Sequence, residues 1–150
     1  MNLEFMGLAI QKAKEAALLD EVPVGAVIVK NGEVISSAHN RKERKNCAVF
    51  HAEIEAIIEA CEQLGNWYLE DCEMYVTLEP CAMCAGALVN SRLKALYFGT
   101  YDPKAGCCGT LYNLLTDSRF NHKLIVEGGI MEKECAELIS EFFRSKRLRG

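Results

Sequence analysis

Apolar positions recur at intervals of three and four from residue 3 to residue 19, where Leu3, Met6, Ile10, Ala13, Ala17 and Leu18 form one stripe. That spacing predicts an amphipathic helix. The pattern then shortens to two β-rich runs, VPVGAVIV at 22–29 and EVISSAH at 33–39, joined by the hairpin dipeptide Asn31-Gly32. Residues 40–50, NRKERKNCAVF, mix charges without a period and read as a loop. Helical spacing returns at 51–64, with Ile54, Ile57, Ile58 and Cys61 on one stripe, while Glu55, Glu59 and Glu62 cluster on another face. Glu53 lies on the far flank of the stripe from those three acids.

EMYVTL at 73–78 reads as a strand, and Pro80 suits the first turn of a helix running to about Asn90, because its missing N–H would be unpaired there anyway. KALYFGT at 94–100 follows a single helical crossover, so it is expected to lie parallel to residues 73–78. A loop, YDPKAGCCGT, a short apolar stretch, LYNLL, and a second loop, DSRFNH, lead to KLIVEG at 123–128, a further strand. Cys135, Leu138, Ile139, Phe142 and Phe143 then fall at helical spacing between Met131 and about Lys146. This order implies a single α/β domain over residues 1–150, with helices on both faces of a mixed sheet of about five strands.

Composition supports one globular unit, at 150 residues and 50% hydrophobic. The first residues carry Glu4, Lys12, Lys14 and Glu15, without the basic start and apolar core of a signal peptide. No run approaches the roughly 18 apolar residues of a membrane span. A soluble, cytoplasmic protein is the expectation, in which the eight cysteines are free thiols or metal ligands rather than disulfides. The net charge of −4 argues against nonspecific nucleic-acid binding by the whole surface, but it averages over an uneven distribution. From Asn46 to Ser91 there is no Lys or Arg, whereas bases gather at Arg41, Lys42, Arg44 and Lys45, at Arg92 and Lys94, and at Arg144, Lys146, Arg147 and Arg149. Grouped around one mouth, these clusters would admit a polyanion.

The chemistry centres on HAE at 51–53 and PCAMC at 80–84. Cys81 and Cys84 stand three apart near a helix start, where the positive end of the helix dipole favours thiolates. His51 also falls at a helix start, and two such starts can converge at one sheet edge. Two thiolates and an imidazole favour Zn²⁺ in tetrahedral geometry, with the fourth position open to water. Zinc makes water acidic enough to act near neutral pH, and Glu53 could move its proton without being a ligand. A CxxC alone also fits a redox pair or a closed structural zinc site. A closed site needs a fourth ligand, yet Cys47, Cys61, Cys72, Cys107, Cys108 and Cys135 stand in no second CxxC or HxxxH arrangement, and a redox pair has no use for HAE.

HAE and PCAMC, set among VPVGAVIV, HN, YVTLEPCAMCAGALVNSR and FFR, resemble the cytidine deaminase-like zinc deaminases, and within them the bacterial tRNA adenosine deaminases, over about residues 5 to 147. The resemblance implies a three-layer α/β/α fold, one Zn²⁺ per subunit, and hydrolytic deamination of adenosine to inosine at the wobble position of a tRNA anticodon. Under it, His51, Cys81 and Cys84 hold zinc and Glu53 shuttles the proton. Asn40 contacts the flipped base, Asp102, Lys104 and Asn121 lie near the flanking nucleotides, and Phe142, Phe143 and Arg144 form the segment beside the anticodon loop. It further implies a homodimer with tRNA across both subunits. The sequence departs from the family's usual Asp-Pro-Thr-like approach to the histidine by placing Phe50 there, and from the usual small pair by placing Cys107-Cys108, both of which bear on the pocket wall. Two other functions share the zinc motif: a deaminase of a free base or nucleoside such as guanine or cytosine, and a structural-zinc RNA-binding module. The basic clusters and FFR favour RNA over the first, and Glu53 favours catalysis over the second.

Overall fold

In the computed structural model, which describes residues 1–149, five strands form one sheet in the order β2-β1-β3-β4-β5. Here β1 is Gly25–Lys30, β2 Glu33–His39, β3 Cys72–Leu78, β4 Ala95–Thr100 and β5 Ile125–Glu127. β1 pairs antiparallel with β2 and β3, while β3–β4 and β4–β5 are parallel. The hairpin turn is as expected: Asn31 and Gly32 both take positive φ, 51° and 77°, the geometry that matches strand twist. The sheet is mixed, five-stranded and covered on both faces, the three-layer α/β arrangement that the sequence implied.

Helix α1 (Leu3–Leu18) and helix α5 (Glu132–Arg149) cover one face, and α3 (Ala52–Leu64) and α4 (Ala82–Asn90) cover the other. The alternation along β1 shows why both faces need cover: Ala26 and Ile28 enter the core under α3 and α4, and Val27 and Val29 the core under α1. On the second face Met6, Ala9 and Ile10 meet Tyr75 and Tyr97.

The helical stripes are rotated from those that hydrophobicity suggested. α1 buries Met6, Ala9, Ile10, Ala13 and Ala16, leaving Leu3 and Leu18 exposed. α3 buries Ala52, Glu53, Ala56, Ile57 and Ala60, leaving Ile58 half exposed. Close approach is the reason. At Gly25 a Cβ would stand 2.0 Å from the Ala9 carbonyl oxygen, so α1 lies nearly on the strand at that point, where Ala9 and Ala13 face it.

Three expectations for the connections change. Residues 40–50 contain a one-turn helix, α2 (Lys42–Lys45). LYNLL contributes only a single 3₁₀ turn, Leu114–Thr116, with Leu115 buried as an anchor. Pro80 precedes the cap of α4 rather than occupying its first turn, since Cys81 is the N-cap. Among the described residues no helix is long and apolar enough to cross a membrane.

Candidate active site

Two helices begin at the same edge of the sheet. His51 is the N-cap of α3 and Cys81 the N-cap of α4, and both have extended backbone (φ −79°, ψ 152° and φ −76°, ψ 178°). Each cap carbonyl accepts the first intrahelical bond, from Glu55 N–H at 3.1 Å and Ala85 N–H at 2.8 Å. Neither side chain makes a capping hydrogen bond, so both are turned to other use. The His51 Nδ1 lies 3.8 Å from Cys81 Sγ and 3.6 Å from Cys84 Sγ, and the three ligand atoms lie within 4.8 Å of one another.

The electrostatics suit a cation. The neighbouring Cys84 thiol, and after it His51, hold Cys81 down to about 3, so it is a thiolate at neutral pH. Cys84 is pushed up by Cys81 and by burial, which leaves one proton between the two sulfurs for a metal to displace. Contact with Cys81 raises His51 above its ordinary value. The donor set of two sulfurs and one imidazole fits a tetrahedral soft-metal centre with one position to spare. Cys107 and Cys108 are not members of it: their thiols donate to the Ala105 and Pro80 carbonyls.

Glu53, in the first turn of α3, is 4% exposed. Its place is the buried face of the helix rather than a flank of it, and burial pushes its carboxyl up to about 7. A carboxyl poised there can hold or release a proton at neutral pH. It opens onto a cavity of about 190 Å³ lined also by His51, Cys81, Asn40, Asp102 and Val22. That is smaller than the roughly 300–1,000 Å³ typical of small-molecule pockets, so it takes a single ring system and leaves the rest of a larger substrate outside.

The two walls of the cavity hang from buried carboxylates that belong to neither HAE nor PCAMC. Glu21, fully buried, accepts from the Glu43 and Arg44 N–H groups at 3.0 and 2.7 Å and so fixes α2. Asn40 continues this wall, its side chain accepting from Lys42 N–H (3.1 Å) and donating to the Val22 carbonyl (3.3 Å). Glu79 holds the opposite wall, the loop of residues 101–110. The available signal was an acid in an otherwise apolar setting: Glu79 ends the VTL run, and Glu21 directly precedes VPVGAVIV.

The remaining sequence-proposed residues divide. Asp102 lines the cavity, and Lys104 and Phe143 line an adjoining groove of about 500 Å³ that shares Val22, Leu78 and Asp102 with it. Phe142 is buried and borders instead a groove between α1 and α5, with its ring against Phe143 and under Lys146. Arg144 pairs with Glu141, and Asn121 is exposed; neither borders the cavity or the adjoining groove. Phe50 borders a separate groove with Arg41 and Ile58, so it does not shape the cavity wall.

The basic clusters do not all surround the mouth. Lys42 lines the cavity and Lys104 the groove beside it. Arg92 and Lys94 sit where β4 begins, opposite Glu73 and away from the Leu78 end of β3 that borders the site. Lys146 and Arg149 both pair with Asp20, and Arg41 makes a two-pronged pair with Glu55.

Comparison with known proteins covers this whole arrangement. The model of the MafB19-like deaminase family matches residues 2–147. A protein of Bacillus subtilis (strain 168) named tRNA-specific adenosine deaminase is 52% identical over 143 residues, covering 95% of this chain and 89% of its own. One of the same name from Aquifex aeolicus (strain VF5) is 48% identical, covering 95% and 94%. A solved structure from work on A-to-I editing by tRNA:A34 deaminases at the wobble position of transfer RNA superposes with a TM-score of 0.88 at 42% identity, over 91% of this chain and 99% of that one. Because the likeness spans both helix starts, both walls and the C-terminal helix, the chain belongs to the MafB19-like deaminases and, among them, to the tRNA-specific adenosine deaminase family.

Proposed function

We propose that the protein deaminates adenosine to inosine at the wobble position of a tRNA anticodon, as a single deaminase domain holding one Zn²⁺. The observation that carries this reading is Glu53, a buried carboxyl poised near neutrality and facing a cavity the size of a single base beside the His51–Cys81–Cys84 cluster. A structural zinc site has no need of such an acid. A free-base deaminase would share the chemistry, but the relatives at 52% and 48% identity carry the tRNA-specific name.

His51, Cys81 and Cys84 would hold the zinc, which when bound supplies the acidity that makes water a nucleophile near neutral pH. Glu53 accepts the proton of the attacking water and returns a proton to the purine, so that the C6 amine departs as ammonia and a carbonyl oxygen takes its place. Asn40 faces the base from one wall and Asp102 from the other. The flanking nucleotides lie along the adjoining groove, against Lys104 and Phe143. Lys42 supplies positive charge at the mouth, and the tail at Arg144 supplies it farther out. We assign Asn121 and Phe142 no direct contact. The working unit is a homodimer acting in the cytoplasm, where its tRNA substrate would be; the dimer is supported by exposed Ile58 and by Phe50 in a groove of about 550 Å³ along α3.

The test is inosine formation on an anticodon stem–loop RNA, run beside free adenosine, guanine and cytosine, with metal analysis of the same sample. Inosine in the RNA and about one zinc per chain are expected. Turnover of a free base without turnover of RNA would overturn the substrate assignment.

A further inference from the structure

Glu79 stands between β3 and the cap residue Cys81, plays no part in the chemistry above, and is only 2% exposed. Its carboxylate accepts four hydrogen bonds, all from the loop of residues 101–110. One oxygen, Oε1, takes the Asp102 N–H at 3.0 Å and the Thr110 hydroxyl. The other, Oε2, takes the N–H groups of Cys108 at 3.1 Å and Thr110 at 3.0 Å. Every partner is a donor, the complement of an acceptor-only carboxylate. Among the described residues no Lys or Arg pairs with it, so the loop alone compensates the burial of this group.

The loop is shaped around the carboxylate in return. At Gly106 a Cβ would stand 2.3 Å from the Glu79 carboxyl carbon, so no other residue fits there without displacing the glutamate. The Cys107 N–H bonds the Pro80 carbonyl at 2.9 Å, closing the loop onto the segment that leads into Cys81. Within the loop, Asp102 Oδ1 accepts from the Lys104 and Ala105 N–H groups at 3.0 and 3.2 Å, which makes that turn one stiff piece. Asp102 and Ala105 are also the part of the loop that lines the cavity. The position of that wall relative to the reaction centre is therefore set through Glu79, two residues from Cys81.

Glu79 itself borders the cavity, but the hydrogen bonds of its carboxylate all go to the loop. We propose that Glu79 is a positioning residue for substrate, holding the Asp102–Ala105 wall in register with Cys81. The proposal rests on the functional reading above for the identity of that substrate. Its consequence is a division of labour across one short segment, in which Cys81 serves the metal and Glu79 serves the binding of what the metal acts on.

The experiment uses Thr110→Val, which removes one of the four donors at nearly constant shape, and Thr110→Ser, which keeps it. With the anticodon stem–loop as probe, Thr110→Val is expected to keep full metal content and kcat while KM rises roughly tenfold, the loss of one hydrogen bond to a charged group. Thr110→Ser is expected to restore the wild-type KM. An unchanged KM, or a fall in kcat in proportion to a lost folded fraction, would overturn the proposal. A crystal structure of Thr110→Val decides the matter without substrate: displacement of Asp102 and Ala105 relative to unmoved His51, Cys81 and Cys84 supports it, and an unmoved loop refutes it. Failure of the wild type to deaminate the RNA would reject the functional reading and leave that structural readout standing.

Discussion

His51 and Cys81 occupy the same structural position in two different helices: each is an N-cap whose side chain makes no capping hydrogen bond, and the two meet with Nδ1 and Sγ 3.8 Å apart. The pair thus joins α3 to α4 at the edge of the sheet, and what binds between them bears on folding as well as chemistry.

A metal held by these caps stabilises only the folded state, because the unfolded chain does not bring residues 51, 81 and 84 together. Chelation should abolish deamination and lower the melting temperature, and added zinc should restore both. Cys81→Ser should reproduce the chelated protein without the recovery. Full deamination by metal-free protein would remove the site from the mechanism.

Glu53 links activity to acid–base stability. Its carboxyl is raised by burial from 4.5 to about 7, so the folded state binds more protons than the unfolded one between those values. Below about 4.5 both states are protonated and the stability is fully present; it is lost as pH rises through 7. At about 1.4 kcal/mol per pH decade, the loss approaches about 3 kcal/mol in metal-free protein. Glu53→Gln does not titrate. Denaturant unfolding of the metal-free variant should therefore show it gaining on the wild type from pH 5 to pH 8, while the metal-loaded variant loses deamination by a factor on the order of 10²–10⁴. Parallel pH profiles for the two proteins would refute the assignment.

Asp20 holds two of the tail's cations, Lys146 at 3.3 Å and Arg149 at 3.1 Å, and these lower its pKa, Arg149 foremost. Such exposed pairs contribute little to stability. Asp20→Asn should leave the melting temperature nearly unchanged, yet free both bases for phosphate. On the proposed reading, affinity for the stem–loop should rise and the slope of log K against log salt steepen by roughly 0.7–0.9 for each phosphate gained. An identical slope would mean that the tail does not meet the RNA.

Gly25 is where α1 lies against β1, and a methyl group there meets the Ala9 carbonyl oxygen and the Ala13 nitrogen, at 2.0 and 2.6 Å. Gly25→Ala should cost about 3 kcal/mol, since helix backbone rather than a flexible side chain must move. Chemical denaturation measures it; a loss within experimental error would show that α1 can shift at no cost.

The motif was legible because ligand spacing is a local property: HAE and PCAMC name the cluster before any fold is known, and a single crossover placed β4 parallel to β3. The helical stripes were less so. Hydrophobicity ranked Leu18 and Ile58 above Ala9, Ala16 and Ala56, but packing distance favoured the alanines, and for α1 that distance is set by Gly25, far away in sequence. α2 escaped notice because it has no apolar face of its own; it depends on the carboxylate of Glu21, some twenty residues upstream. Basic clusters marked potential phosphate sites, yet the partners that occupy them, Asp20 and Glu55, become neighbours only on folding.

The two walls of the cavity are each suspended from one buried carboxylate, Glu21 for α2 and Glu79 for residues 101–110, while the metal cluster is carried by helix ends outside both loops. The molecule is in this respect modular. Substitutions on the inner surface of either wall that leave in place the amides meeting the carboxylate should, on the proposed reading, change the contacts to substrate while the His51–Cys81–Cys84 cluster stands still.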